Sequence, residues 1–159
     1  MTLSLSTPVV LEVLRCAQPH YRRFLEQAIA AGEEVRICSL VLQQLAHAAL
    51  ESDAPEPHLS QLDALIAHLQ VEPFTGEDAL SAARVQSEWR RTVLSSPKLA
   101  PLGVLDVLTA GQALNRGWTL VADKLGRGAP GVRTVLWGDP AGPVDLAAQA
   151  ESFQRAGSR

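Results

Sequence analysis

The sequence predicts one α/β domain, a mainly parallel central sheet flanked by helices in three layers, and three observations carry that prediction. Short apolar runs of β type alternate with amphipathic stretches of about ten residues or more, the order that builds parallel crossovers. Glycines at Gly32 and Gly117 close two of the helical stretches just before a β-run. With 159 residues, 47% of them hydrophobic, the chain suits one compact core rather than two.

Taken in order, Thr2 to Ser6 alternates Leu3 and Leu5 with small polar residues, a strand that Pro8 ends. Val9 to Arg15 reads as a short helix with Pro8 near its start. From Pro19 to Ala31 the residues Phe24, Leu25, Ala28 and Ile29 fall at helical spacing. Val35 to Cys38 is the next strand, and Ser39 is expected to cap a helix running to Leu50. Pro55 and Pro57 remove backbone donors, so Asp53 to Pro57 is read as a loop. A helix follows over Leu59 to Leu69, then a minor strand over Val71 to Phe74 turning at Gly76. Glu77 to Leu94 is the longest helical stretch, ended by Ser95-Ser96-Pro97. A helix from about Gly103, a strand over Trp118 to Ala122, a glycine-rich loop and a strand over Val132 to Leu136 complete the pattern.

Residues 1–138 form the expected domain. Residues 139–159 are read as a tail, a mobile extension or docking segment whose composition admits a short helix over Val144 to Phe153.

Charge narrows the function classes. Lysine and arginine number 14 against 17 acids, a net −3, so no overall basic field exists to hold a polyanion, and any nucleic-acid role needs a local patch. Two cysteines, Cys16 and Cys38, are too few for a disulfide framework and read as buried thiols in a reduced compartment. No leader pattern and no apolar stretch near the roughly 18 residues of a span is visible, which gives a cytoplasmic expectation with no membrane role.

Several chemical candidates have a plainer structural reading. His20, His47, His58 and His68 lack helical ligand spacing and read as surface or satisfied histidines. Arg22-Arg23 and Arg90-Arg91 stand near acids and read as solvated ion-paired faces. The loop Gly126 to Gly131 lacks the lysine and hydroxyl of a phosphate-cradling loop, and Trp89, Trp118 and Trp137 read as core or interface anchors.

The most informative run is Val104-Leu105-Asp106-Val107-Leu108-Thr109-Ala110-Gly111-Gln112-Ala113-Leu114, continuing through Gly117 to Thr119-Leu120-Val121. It places one carboxylate at a helix start ahead of a buried strand. This run resembles the D-(L/V)-L-(I/T)-A-x-x-A-L-x-x-G-x-T-L-V pattern of the VapC-like toxin ribonucleases of the PIN-domain family. Two further segments resemble the same family in scaffold. Leu5-Ser6-Thr7-Pro8-Val9 matches a strand running into D-T-N, with Ser6 in place of the acid and Thr7 retained. Ser39 to Ala48 matches S-x-(V/I)-(T/L)-x-x-E-L, with Gln44 in place of the glutamate. The resemblance spans roughly residues 2–137.

The resemblance implies a carboxylate ring holding Mg²⁺ or Mn²⁺, which would activate water for RNA cleavage. Asp106 is the family acid found in place. The last acid falls on Lys124, with Asp123 beside it. Replacing a unit charge beside a divalent ion weakens binding by on the order of several kcal/mol per ligand at an effective dielectric of about 20. The resemblance therefore implies a degenerate site without an expected metal, acting by binding a protein partner or RNA. One alternative is an active Mg²⁺-dependent endoribonuclease toxin using Asp106, Asp123 and a third acid such as Glu12. Another is an unrelated doubly wound binding module. The resemblance also implies a homodimer, with Leu65, Leu69 or Leu80 in its interface, and an antitoxin-like partner.

Overall fold

A computed structural model of the chain describes residues 1–15, 19–95, 102–123, 131–132, 134–137 and 144–145. Among the described residues, six strands form one sheet in the order β3-β2-β1-β4-β5-β6, and every neighbouring pair but the last is parallel. In chain order the elements are β1 Thr2–Leu5, α1 Thr7–Arg15, α2 Pro19–Ala30, β2 Glu34–Cys38, α3 Ser39–Leu50 and α4 Pro55–Ile66. They continue as β3 Gln70–Glu72, α5 Gly76–Ser95, α6 Val104–Arg116, β4 Thr119–Asp123, β5 Thr134–Trp137 and β6 Val144–Asp145. The expected α/β class with a mainly parallel sheet is the fold of this protein.

Period-two alternation divides the core between the two sheet faces. Leu3, Leu5, Val35, Ile37 and Val121 meet Val9, Val10 and Val13 of α1, Leu25 of α2, Val41 and Leu45 of α3, and Leu62 of α4. On the other face Leu120 packs with Val85 of α5 and Ala110 and Ala113 of α6. The small residues on α6 let it approach α5 closely. A Cβ added at Gly111 would stand 2.4 Å from the Ala82 backbone, so only glycine fits that contact.

The helix and strand around Asp106 form as the local sequence dictates. Gly103 opens α6, and Gly117 closes it at φ 68°, a left-handed conformation natural to glycine. The amides of Gly117 and Trp118 return to the carbonyls of Leu114 and Ala113, which turns the chain directly into β4.

Several local expectations are corrected. Pro55 and Pro57 lie in the first turn of α4 rather than in a loop, because first-turn amides have no helical acceptor and proline's fixed φ suits that position. Ser39 does not cap α3. It is the first residue of that helix, and its Oγ accepts the Phe74 amide at 3.2 Å, tying α3 to the chain leaving β3. Val144–Asp145, where a short helix is expected to start, is an antiparallel strand on β5, whose open edge supplies a pairing partner that local composition does not reveal; the remainder of that expected helix lies outside the described residues. Leu69, expected at the interface, is buried in the core, whereas Leu80 is 69% exposed. Cys38 is a buried free thiol; Cys16 lies outside the described residues. Among the described residues, no helix is long and apolar enough to cross a membrane.

A buried carboxylate fixes α6 to the rest of the fold. Asp78, in the first turn of α5, is fully buried. Its oxygens accept from Asn115 at 2.8 Å, from Arg116 at 3.0 and 3.3 Å, and from the Thr75 amide at 2.9 Å. Arg116 also donates to Glu72 at 2.9 Å and to the Pro73 carbonyl at 2.9 Å. Glu72 in turn accepts from Arg36, and both guanidiniums lie over the Trp118 ring, 5.3 and 5.0 Å from its centroid. Burial alone would raise the Asp78 pKa. The hydrogen bonds from Arg116, Asn115 and Thr75 outweigh it and hold the carboxyl well below the usual carboxylate range.

Two expected outcomes follow from these contacts. Gly111→Ala should lower stability by about 1–3 kcal/mol through overpacking against Ala82, read as a reduced urea midpoint. A midpoint equal to the wild type would show that α5 and α6 are not so close. Asp78→Ala should cost about 3 kcal/mol at neutral pH, because it leaves Arg116 without its buried partner. Since the folded pKa lies below the unfolded one, acid favours the unfolded chain. The gap between wild type and variant should therefore be full above about pH 4 and narrow as the pH falls below it. A gap that stays constant down to pH 2.5 would count against the assignment.

Candidate functional site

The strand order changes direction at β1. The chain moves from β1 to β2 and β3 on one side, then returns to lay β4 and β5 on the other. In open parallel sheets the crevice at such a reversal, beyond the strands' carboxyl ends, is where ligands bind. Four of the residues singled out by the sequence, Thr7, Glu12, Gln44 and Asp106, line one cleft at this place.

Ser6 leaves β1 with its amide bonded to the Val121 carbonyl of β4 at 3.1 Å, while its own carbonyl accepts the Val10 amide and opens α1. Thr7 and Pro8 are the first residues of that helix. An open cleft of about 470 Å³ lies against them. Its walls are Thr7, Pro8, Leu11, Glu12 and Arg15 of α1, Gln44, Leu45 and Ala48 of α3, and Leu105 and Asp106 of α6. The fold thus brings Thr7, Gln44, Asp106 and Glu12 into one cleft, although they are far apart in sequence. Ser6, which precedes Thr7 in the chain, is 5% exposed. The hydroxyls of Ser6 and Thr7 are buried without a hydrogen-bond partner among the described residues.

Asp123 ends β4, paired in register with Trp137 of β5. Lys124 lies outside the described residues.

The electrostatics of the cleft are mixed. Glu12 and Asp106 contribute carboxylates, Arg15 is the cation among the lining residues, and Gln44 and Thr7 are neutral. Arg15 Nη1 is 3.8 Å from Glu12 Oε1, a loose pair with the arginine side chain 66% exposed. Such an exposed pair is worth at most about 1 kcal/mol, so neither partner is fixed by the other. Among the described residues, no group of three or more histidines, cysteines or acids is close enough to hold a metal.

Asp106 has a second surrounding besides the cleft. It is the third residue of α6, behind Gly103, which has no side chain to cap the helix. A Cβ placed on Gly103 would lie 3.0 Å from Asp106 Oδ2, so the carboxylate folds back toward the helix entrance. A negative group in the first turn is stabilised by the unpaired amides there, by about 0.3–1 kcal/mol. Asp106 therefore serves α6 itself as well as facing the cleft.

Beside the cleft and sharing Leu11, Arg15, Leu45 and Ala48 with it runs an apolar groove of about 220 Å³ between α1, α3 and α4. At its edge the Ser52 hydroxyl donates to the Ala49 carbonyl at 2.7 Å, and His58 Nδ1 lies 2.7 Å from Ser52 Oγ. His58 is thus a satisfied histidine, as its sequence context implies. Arg22 likewise pairs with Glu26 at 3.1 Å on the surface of α2.

Sequence reasoning left two features out. The Asp78 cluster carried a local sign, Thr75 three residues before Asp78, and those two do cap each other's amides at 2.9 and 3.3 Å. Arg15 as a cleft residue was legible in the helical spacing of Thr7, Leu11, Glu12 and Arg15, which puts them on one side of α1.

Comparison with known proteins places these features in a family. The PIN domain model matches residues 5–124. The tRNA(fMet)-specific endonuclease VapC of Salmonella typhimurium is 30% identical over 103 residues, covering 64% of this chain and 74% of that protein. Among solved structures, the DNA-bound VapBC of Salmonella typhimurium superposes with a TM-score of 0.74 at 25% identity, over 87% of this chain and 99% of that one. The VapBC2 of Rickettsia felis bound to a promoter DNA fragment gives a TM-score of 0.73 at 24% identity, over 87% of this chain and 100% of that one, a likeness of fold.

Proposed function

This chain belongs to the PIN-domain family, among its VapC-like toxins, and from that premise we propose that it is a degenerate member that has given up metal-dependent RNA cleavage and acts by binding a protein partner. One observation carries the reading. Thr7, Gln44 and Asp106 line the same cleft, Ser6 precedes Thr7 in the chain, and Asp106 is the one among these four with a charge.

In the family, Mg²⁺ or Mn²⁺ supplies an activated water and charge stabilisation for phosphodiester hydrolysis. Ser6 and Gln44 do not fit that ion. Magnesium sheds water for carboxylates far more readily than for neutral oxygens. By the family resemblance, Lys124 falls where a further acid is expected. Asp106 and Asp123 are the residual acids of the site, and no cofactor is assigned to it.

Charge favours a protein partner over RNA. The lining residues carry one negative charge in excess and the chain carries −3, whereas phosphate binding rests on clustered lysine and arginine. A basic side chain of a partner can enter between Glu12 and Asp106 without opposing that field. The relatives from Salmonella and Rickettsia were solved as VapBC assemblies, which supports an antitoxin-like protein as the partner. The free thiol of Cys38 accords with work in the cytoplasm.

A second reading has one observation in its favour. Glu12 and Asp106 share the cleft while Asp123 ends the adjoining strand, so an active endoribonuclease with a rearranged acid set is the competing case.

Calorimetry separates the two. The wild type should show no saturable Mg²⁺ or Mn²⁺ binding at micromolar concentration, and micromolar affinity that Asp106→Asn abolishes would overturn the proposal. Rebuilding the acids gives the converse test. Ser6→Asp, Gln44→Glu and Lys124→Asp together should raise metal affinity at least tenfold and lower stability in metal-free buffer, because clustered carboxylates repel. A folded triple variant with unchanged affinity would show that these positions do not form one ligand set. A homodimer is expected as well, with Leu80 on α5 and the half-buried Leu65 at its interface. Light scattering at micromolar concentration should give twice the 17.0 kDa chain mass, and a monomer mass throughout would refute it.

A further inference from the structure

We draw no further inference here: the strongest candidate, the leucine-lined groove between α1, α3 and α4 that Ser52 and His58 edge, belongs to the cleft site already described, and nothing in the structure shows what covers it.

Discussion

The buried carboxylate of Asp78 is the contact on which the arrangement of this fold most depends. It joins the start of α5, the end of α6 and the chain leaving β3, three segments that no continuous strand or helix connects. A charge with no exposure is tolerable only when every lone pair has a donor, and here an arginine, an asparagine, a glutamine and a backbone amide supply them. Arg116 then extends the constraint outward through Glu72 to Arg36 and Trp118, so the sheet edge at β2 and β3 is held to the same point. Gly111 adds a steric condition to this polar one. With the helices in backbone contact at Ala82, α6 can neither slide nor rotate without losing one set of contacts or the other.

That rigidity matters because α6 brings Asp106 to the cleft. The cleft itself is a product of topology, since the chain reverses its direction of travel across the sheet at β1 and opens a crevice where β1 and β4 end. Ser6 occupies the seam between these strands, bonded by its amide to Val121 and by its carbonyl to the first turn of α1. Both bonds belong to the backbone, so neither depends on which side chain stands there. A serine can stand where the family has an acid, and the strand still runs into the helix.

What was legible in the sequence follows from the range of the forces involved. The run from Val104 to Val121 was readable because its helix stop, its apolar stripe and its strand all rest on neighbours within one or two turns. The convergence of Thr7, Gln44 and Asp106 was readable through likeness to a family rather than through physics, because pairing of β1 with β4 joins segments separated by most of the chain. Pro55 and Pro57 misled because proline opposes the interior of a helix yet favours its first turn, and composition alone does not say which applies. Val144–Asp145 was misread because a strand of two residues has no periodicity to detect. Asp78 escaped notice for the same reason of range: Thr75 is three residues away, but Arg116 is 38 away, and it is Arg116 that makes burial of the charge possible.

The proposed loss of charge at Ser6 and Gln44, with Asp106 remaining, also has a physical account. A ring of carboxylates without its metal repels itself, so neutral residues at Ser6 and Gln44 relieve the metal-free fold. Gln44 is exposed on α3 and Ser6 makes its bonds through the backbone, so neither position needs a carboxylate for the fold. Asp106 differs, because Gly103 leaves the entrance of α6 without a side-chain cap and the Asp106 carboxylate lies against it. Removing that negative group would weaken the helix that Gly111 and the Asp78 cluster hold in place. Asp106 thus has a structural reason to stay acidic even where no ion is bound, and its presence alone is weak support for catalysis. The weight of the functional reading rests instead on Gln44 and Ser6, whose side chains the fold does not require and whose chemistry a metal site would.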